Sequence, residues 1–407
     1  MLLIINIGST SVKTRLFDTH LTVAGQLHAD YTVLTNTVIA EQFLNVDSNE
    51  QVRAFDSVEA VLRFVFAEWQ NFIDTQQIKL TAIGHRIVHG GPDFHEVTVI
   101  DQDTMGDLAQ LDTYAPLHNP INRLGITIAG EILSTVTQYG VFDTAFHHSM
   151  PEQASRYALP ETLLPEIALR RYGFHGISCS YALHQSSSIL KCQDTSLNLI
   201  VLHLGGGSSA TAIGSGVSVD TSMGFSPLGG LIMGSRCGDL DPMVPMTALR
   251  SGMTLSELDQ VLHKHSGLQA IAGTGDMRSI LEQASAGSAQ AQLAIDMYCY
   301  QIKKIIGAYY AVLGSVSALI FTGGIGENCP LIRQNIIQGL DMLGLSIDAE
   351  SNQQSINIDR DIAKSHCKTR CLVIQCNEEL EIAHQISAFI DPRRLSENRS
   401  RSEGKRF

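Results

Sequence analysis

Short apolar runs closed by glycine- or hydroxyl-rich turns set the rhythm of this chain. LLIINIG reads as a strand, GSTS as a tight turn and VKTRLFD as a second strand, giving a hairpin with Ser9, Ser11 and Lys13 at or after its tip; another strand is predicted around YTVL. The period then changes. In SVEAVLRFVFAEWQNFI, Val58, Val61, Leu62, Val65 and Phe66 recur at the three-to-four spacing of a helix with one buried face. TAIGHRIVHGG returns to strand and glycine turn. DTMGDLAQLDTYAPLHNPINRLGITIAGEIL reads as two helices split by a Pro-containing loop, and YGVFDTAFHHSMP as a strand ending in a polar turn.

The second half repeats this grammar. LNLIVLHLGGGSSATAIGSGVSVDTS is again strand, Gly/Ser turn, strand and polar segment, about two hundred residues after the first hairpin. SALIFTGGIGENCPLIRQNII is a strand meeting a glycine turn and a helix whose first amides could receive a nucleotide. Residues 305–326 carry no charge, but glycines and hydroxyls interrupt them, so a helix tail followed by a buried strand is predicted rather than a membrane span. CLVIQCNEEL gives the final strand, and ELEIAHQISAFI a last helix that packs back on the first domain. Two similar α/β units, each opened by a hairpin, imply duplicated domains around a cleft. The expected division is 1–150 with 380–395, then 151–379, with 396–407 as a disordered basic tail.

Composition narrows the function. A chain of 407 residues, 44% hydrophobic and 17% charged, can build two domains with sizeable cores. Its formal net charge of −13 argues against a general nucleic-acid binder. The six basic residues of PRRLSENRSRSEGKRF read as a solvated tail. No basic segment precedes the first apolar run, so no signal peptide is expected, and eight cysteines without CxxC pairs or zinc spacing fit reduced thiols in the cytoplasm.

The turn HLGGGSS raises the question of chemistry. It lacks the Gly-Lys-Ser/Thr ending of a Walker loop, and no such triplet occurs in the chain. Gly205, Gly206, Gly207 and Ala210 formally satisfy a dinucleotide pattern, but that reading needs a following helix and a carboxylate about twenty residues on. ATAIGSGVSV is β-like instead. A hairpin whose backbone amides face a phosphate is the better account.

Taken in order, GHRIVHGG, APLHNP, VFDTAFHHSMP, RRYGFHGIS, VLHLGGGSS, DTSMGFSPLGGLIMGSRCGDLDP, FTGGIGEN and CNEELEIA closely resemble the acetate kinase family over roughly residues 2–390. The resemblance implies an α/β fold of two duplicated ribonuclease-H-like, actin-like ATPase domains around a nucleotide cleft, commonly a homodimer. It also implies magnesium, with manganese as a substitute, and reversible in-line transfer of the ATP γ-phosphoryl to acetate, giving acetyl phosphate and ADP. Joining two anions calls for fixed positive charge and a metal more than for a strong base, because a carboxylate is already ionised at neutral pH.

By that resemblance Arg86 and Arg236 bind the carboxylate and the transferring phosphoryl, and bidentate guanidinium geometry suits both. His175 would hydrogen-bond the phosphoryl oxygens and, with Arg236, stabilise the transition state; His118 and His203 are further site histidines, with structural roles as the alternative. Asp143 matches the catalytic aspartate, its alternative being a turn cap. Asn6 and Glu378 match the magnesium supports. Lys13, His203, Gly205, Gly206, Gly207, Asp276, Met277, Arg278, Gly324, Ile325, Gly326, Asn328 and Arg333 fall at nucleotide positions, with a solvated outward place as the alternative for Lys13. Val88, Leu117 and Pro227 resemble the pocket for the acyl methyl, and a valine at the first of these favours acetate over longer acids, one methylene being worth about 1–3 kcal/mol. Gly206 stands where the family usually has Asn, Gly229 where it has glutamate and Met277 where an aromatic is common. The competing readings are a propionate kinase, a carboxylate kinase using another phosphoryl donor, and a non-catalytic nucleotide-binding regulator. No nucleic-acid or membrane partner is expected.

Overall fold

The structure, a computed structural model, describes residues 1–8, 10–43, 48–354 and 359–391. Ser9 of the first turn, residues 392–395 and the basic stretch 396–407 lie outside the described residues. The chain divides into two units, Met1–Ala145 together with the stretch from Asn377, and Phe146–Cys376.

Unit one is built on an eight-stranded sheet in the order β5-β4-β3-β2-β1-β6-β8-β7. Its centre is β1 (Leu2–Ile7), apolar at every position but Asn6 and buried at all six, as a strand covered on both faces requires. β2 (Ser11–Phe17), β3 (Val23–Asp30), β4 (Thr37–Phe43) and β5 (Asn49–Arg53) extend it antiparallel on one side. β6 (Ala82–Ile87) and β8 (Gln138–Phe142) run parallel on the other, and β7 (Thr98–Val99) closes that edge antiparallel.

Leu3, Ile5 and Ile7 share a core with Val61, Leu62, Val65, Phe66 and Trp69 of the helix Val58–Thr75 and with Ile128 of the helix Asn119–Ile132. Trp69 is wholly buried and donates its indole N–H to Thr14 Oγ1 at 2.7 Å, so its polar edge is satisfied within the core. The opposite face of the sheet receives the helix Glu378–Ile390. It seats closely because position 84 is glycine: a Cβ there would stand 2.3 Å from Ile386 Cδ1 and 2.7 Å from Ile4 Cδ1.

Unit two repeats the plan in six strands, β11-β10-β9-β12-β14-β13. β9 (Leu199–Leu204), β10 (Ser208–Gly214) and β11 (Val217–Thr221) form the antiparallel part; β12 (Ala318–Thr322) and β14 (Arg370–Val373) follow in parallel, and β13 (Arg360–Asp361) closes the edge antiparallel. The run β3-β2-β1-β6-β8-β7 therefore corresponds strand for strand to β11-β10-β9-β12-β14-β13. The uncharged stretch 305–326 is the end of the helix Ala289–Leu313 followed by buried β12, as predicted. Among the described residues no helix is long and apolar enough to cross a membrane.

Two local expectations fail. YTVL is not a strand, because Asp30 accepts hydrogen bonds from the Thr32 amide and hydroxyl at 3.0 and 2.7 Å and turns the chain, while the Tyr31 hydroxyl donates to the Gly8 carbonyl at 2.6 Å. The polar segment expected after the second hairpin contains β11, an edge strand with only two of its five residues buried.

Candidate active site

In unit one the charged residues gather where β1, β6 and β8 meet the start of the helix Glu378–Ile390. Asn6 lies near the end of β1, Arg86 on β6 and Asp143 one residue past β8, two residues beyond Val141, the register partner of Arg86. Arg86 Nη2 donates to Asp143 Oδ2 at 2.9 Å, and its Nε lies 3.8 Å from Glu378 Oε2. That Nε is buried and makes no hydrogen bond. Asn6 Nδ2 donates at 3.0 Å to both Glu378 Oε2 and Glu379 Oε1. Arg15 holds the helix start, donating to Asn377 Oδ1 at 2.7 Å and lying 3.6 Å from Glu379.

Three carboxylates, Asp143, Glu378 and Glu379, thus face two guanidiniums. Burial pushes the Glu378 carboxyl up from its ordinary pKa; Arg86 opposes the shift, while Asp143 and Glu379 add to it. For Arg86, burial works against the charge but is outweighed by Asp143 and Glu378, so its pKa rises. The neighbouring His85 is buried and neutral, pushed down to about 4 by burial despite a hydrogen bond with Gln138.

The loop after β6 is fixed by asparagines. Asn122 accepts from the Val88 amide at 3.1 Å and donates to the Ile7 carbonyl at 3.1 Å, and Asn119 accepts from the His89 amide at 3.1 Å. Val88 is consequently buried, whereas Leu117 is 45% exposed and His118 is half-buried at the start of its helix. Lys13 is exposed on β2, in register with Asn6.

In unit two the glycine turn joins β9 to β10. The Gly205 amide donates to the Gly207 carbonyl at 2.9 Å, and the Gly234 amide to the Gly206 carbonyl at 3.1 Å. A Cβ on Gly207 would stand 3.3 Å from His175 Nε2 and 3.9 Å from Arg236 Nη1, so backbone, imidazole and guanidinium face one small space. At Gly206 a Cβ would meet nothing within 4 Å, so the space for the family's side chain is present and unfilled. A Cβ on Gly229 would approach Asp239 Oδ1 at 3.3 Å.

His175 takes the left-handed conformation, φ 58° and ψ 25°, at the start of the helix Gly176–Leu190. Its ring stacks on His203 at 4.0 Å between centroids, and its Nδ1 lies 2.9 Å from Ser209 Oγ. His203 Nδ1 lies 2.8 Å from Ser178 Oγ. Arg236 donates to the Pro227 carbonyl at 3.1 Å, and burial lowers its pKa without taking a guanidinium into its neutral range.

The nucleotide candidates separate into two kinds. Asp276 caps the helix Met277–Ser285 and holds the exposed Arg278 in a two-point pair at 3.1 and 2.9 Å. Gly324 and Asn328 are exposed and linked, Asn328 Nδ2 donating to the Gly324 carbonyl at 2.9 Å, and Ile325 packs partly against the core. Met277 and Arg333 point inward. Met277 lies in the core at 2% exposure, and the wholly buried Arg333 donates to the Gly326 and Glu327 carbonyls and to Asn352, bracing the turn from within.

Glu379, Arg15, Asn119, Asn122 and Ser209 were missed by motif reading. Only the first had a usable signal: an asparagine cap followed by two glutamates, since acids in a first helical turn complement its exposed amides.

A duplicated α/β fold with a glycine turn facing an imidazole and a guanidinium defines the actin-like ATPase class of phosphotransferases. Residues 1–384 match the model of the acetokinase family, and the chain belongs to that family. It is 41% identical over 386 residues to an acetate kinase of Campylobacter jejuni subsp. doylei, covering 94% of this chain and 97% of that one. Among solved structures it resembles a propionate kinase from Francisella tularensis, at 36% identity and TM-score 0.86, and an acetate kinase from Porphyromonas gingivalis, at 32% and 0.85; each covers 94% of this chain and 98% of the other. The chain is an enzyme, a phosphotransferase acting on a carboxyl group.

Proposed function

We infer that the enzyme transfers the γ-phosphoryl of ATP to acetate by direct in-line attack, reversibly, giving acetyl phosphate and ADP. The observation that carries this reading is the convergence of the Gly207 backbone, His175 Nε2 and Arg236 Nη1 on one small space, a set suited to a phosphoryl group gaining charge in flight. Arg236 supplies fixed positive charge and His175 a hydrogen-bond donor. In unit one Arg86, its guanidinium held by Asp143, is the fixed cation offered to a substrate carboxylate. Val88 and Leu117 of unit one would contact the methyl group, and Asp276, Arg278, Gly324, Ile325 and Asn328 of unit two the adenosine.

The residues present fit a divalent cation. Three carboxylates against two guanidiniums leave a net negative charge, and burial, with Asp143 and Glu379 adding to it, pushes the Glu378 pKa up. Magnesium keeps several waters and takes one or two carboxylates plus substrate phosphates. Glu378 would hold it with Asn6, and the bound ion would neutralise charge on the transferring phosphates.

A homodimer is supported by the helix Met243–Arg250, where no residue is buried while Met243, Val244, Met246 and Leu249 are 40–58% exposed. Light scattering should give twice the 44.3 kDa chain mass; the single mass would remove the dimer without touching the chemistry.

The test of the reaction is Arg236→Ala, with acetyl phosphate trapped as its hydroxamate. Loss of a preorganised charge of this kind is worth about 10²–10³ in turnover. The variant should lose at least that much and melt as the unaltered enzyme does. Near-normal turnover would overturn the assignment.

A further inference from the structure

His147 is a wholly buried imidazole that this chemistry leaves unused. Its Nε2 lies 2.9 Å from the Phe174 carbonyl oxygen and its Nδ1 2.9 Å from Ser218 Oγ. A carbonyl can only accept, so Nε2 carries the proton and donates to Phe174; in the neutral ring Nδ1 then accepts from the Ser218 hydroxyl. Ser218 is held in turn, its carbonyl accepting from Ser149 Oγ at 3.0 Å.

Phe174 lies between two residues of left-handed backbone, Gly173 at φ 74° and His175 at φ 58°. Glycine adopts that conformation freely, but a residue with a β-carbon needs its surroundings to hold it there. The His147 ring lies against the first of the pair: a Cβ on Gly173 would stand 2.7 Å from His147 Cδ2 and 2.8 Å from Cγ. Its N–H grips the carbonyl between them. Beyond that carbonyl the chain turns into His175, whose Nε2 faces the Gly207 turn.

We propose that His147 is a positioning residue for His175, fixing through the Phe174 carbonyl the backbone twist that aims the His175 imidazole at the glycine turn. The proposal rests on His175 being the group that meets the phosphoryl oxygens. It makes turnover depend on a hydrogen bond one residue removed from the chemistry, since a displacement of about 1 Å in a catalytic group can cost 10²-fold.

The test compares His147→Gln with His147→Asn in the full-length enzyme. Glutamine carries its amide nitrogen about as far out as Nε2 and can still donate to Phe174; asparagine reaches only the Nδ1 position. His147→Asn should lower kcat by about a hundredfold while KM for acetate and for ATP stays unchanged, and His147→Gln should recover most of that loss at an equal melting temperature. With nitrogen-labelled histidine, the ring signals of His175 should move in the asparagine variant and return in the glutamine variant.

Normal kcat in His147→Asn would overturn the proposal. So would equal loss in both variants tracking their melting temperatures, or unmoved His175 signals. If the asparagine variant does not fold, Ser218→Ala removes only the support at Nδ1 and should show the same split between kcat and KM at a smaller loss; an unchanged kcat there would count as failure. Should the unaltered enzyme form no acyl phosphate, the functional reading fails, while the His175 signals still decide the positioning.

Discussion

Glu378 shows how much one side chain's surroundings decide. Burial raises its pKa, Arg86 opposes the rise, and Asp143 and Glu379 add to it. Just above the ordinary glutamate pKa the unfolded chain has released this proton while the folded chain keeps it, so the folded state binds more protons and this group's contribution to stability falls as pH rises through that window. The cation binding proposed for Glu378 would have the opposite slope, because a metal needs the carboxylate. The affinity for magnesium with ADP, followed by calorimetry from acid to neutral pH, should therefore climb over a range lying above that of a free glutamate. In Glu378→Gln it should be weak and flat; a profile matching the unaltered enzyme would remove Glu378 from the metal. Motif reading reached Asn6 and Glu378 through the family resemblance, but not the hydrogen bond joining them across 372 positions, and it overlooked Glu379, which shares the same Asn6 amide.

At the scale of elements, the helix Glu378–Ile390 brings Glu378 to the sheet, and the absence of a side chain at Gly84 lets it lie close. Gly84→Val should force Ile386 and Ile4 apart and cost about 1–3 kcal/mol, the usual price of overpacking a core. A thermal melt should fall, and magnesium affinity should fall with it because the helix carries Glu378; unchanged values of both would mean that the contact does not set the helix position. The elements that sequence made legible are those with one dominant period: β1, apolar but for Asn6, the helix Val58–Thr75 and the uncharged passage from the helix Ala289–Leu313 into β12. Those it missed lie at edges. β5 has no buried residue, so no alternation marks it, and the end of β3 is set by an Asp30 turn that competes with the strand tendency of YTVL.

For the whole molecule, the repeated grammar of strand, glycine turn and strand was readable because the two sheets share one order of strands. The sites were readable in part. The motif residues Gly207, His175 and Arg236 do meet in unit two, and Asn6, Arg86, Asp143 and Glu378 in unit one. Met277 and Arg333 turn inward because each fills a need of its own unit, a core position and a set of turn carbonyls, which no motif announces.

We propose a carboxylate kinase that prefers acetate and ATP, with the space at Gly206 tolerated. The measurement that tests it most directly is kcat/KM for acetate, propionate and butyrate, each with ATP, GTP and pyrophosphate, in magnesium. Acetate with ATP should be the best pair, with propionate slower by about 10–200-fold, the range one methylene allows. A longer acid or another donor as the best pair, or no acyl phosphate with any, would contradict it.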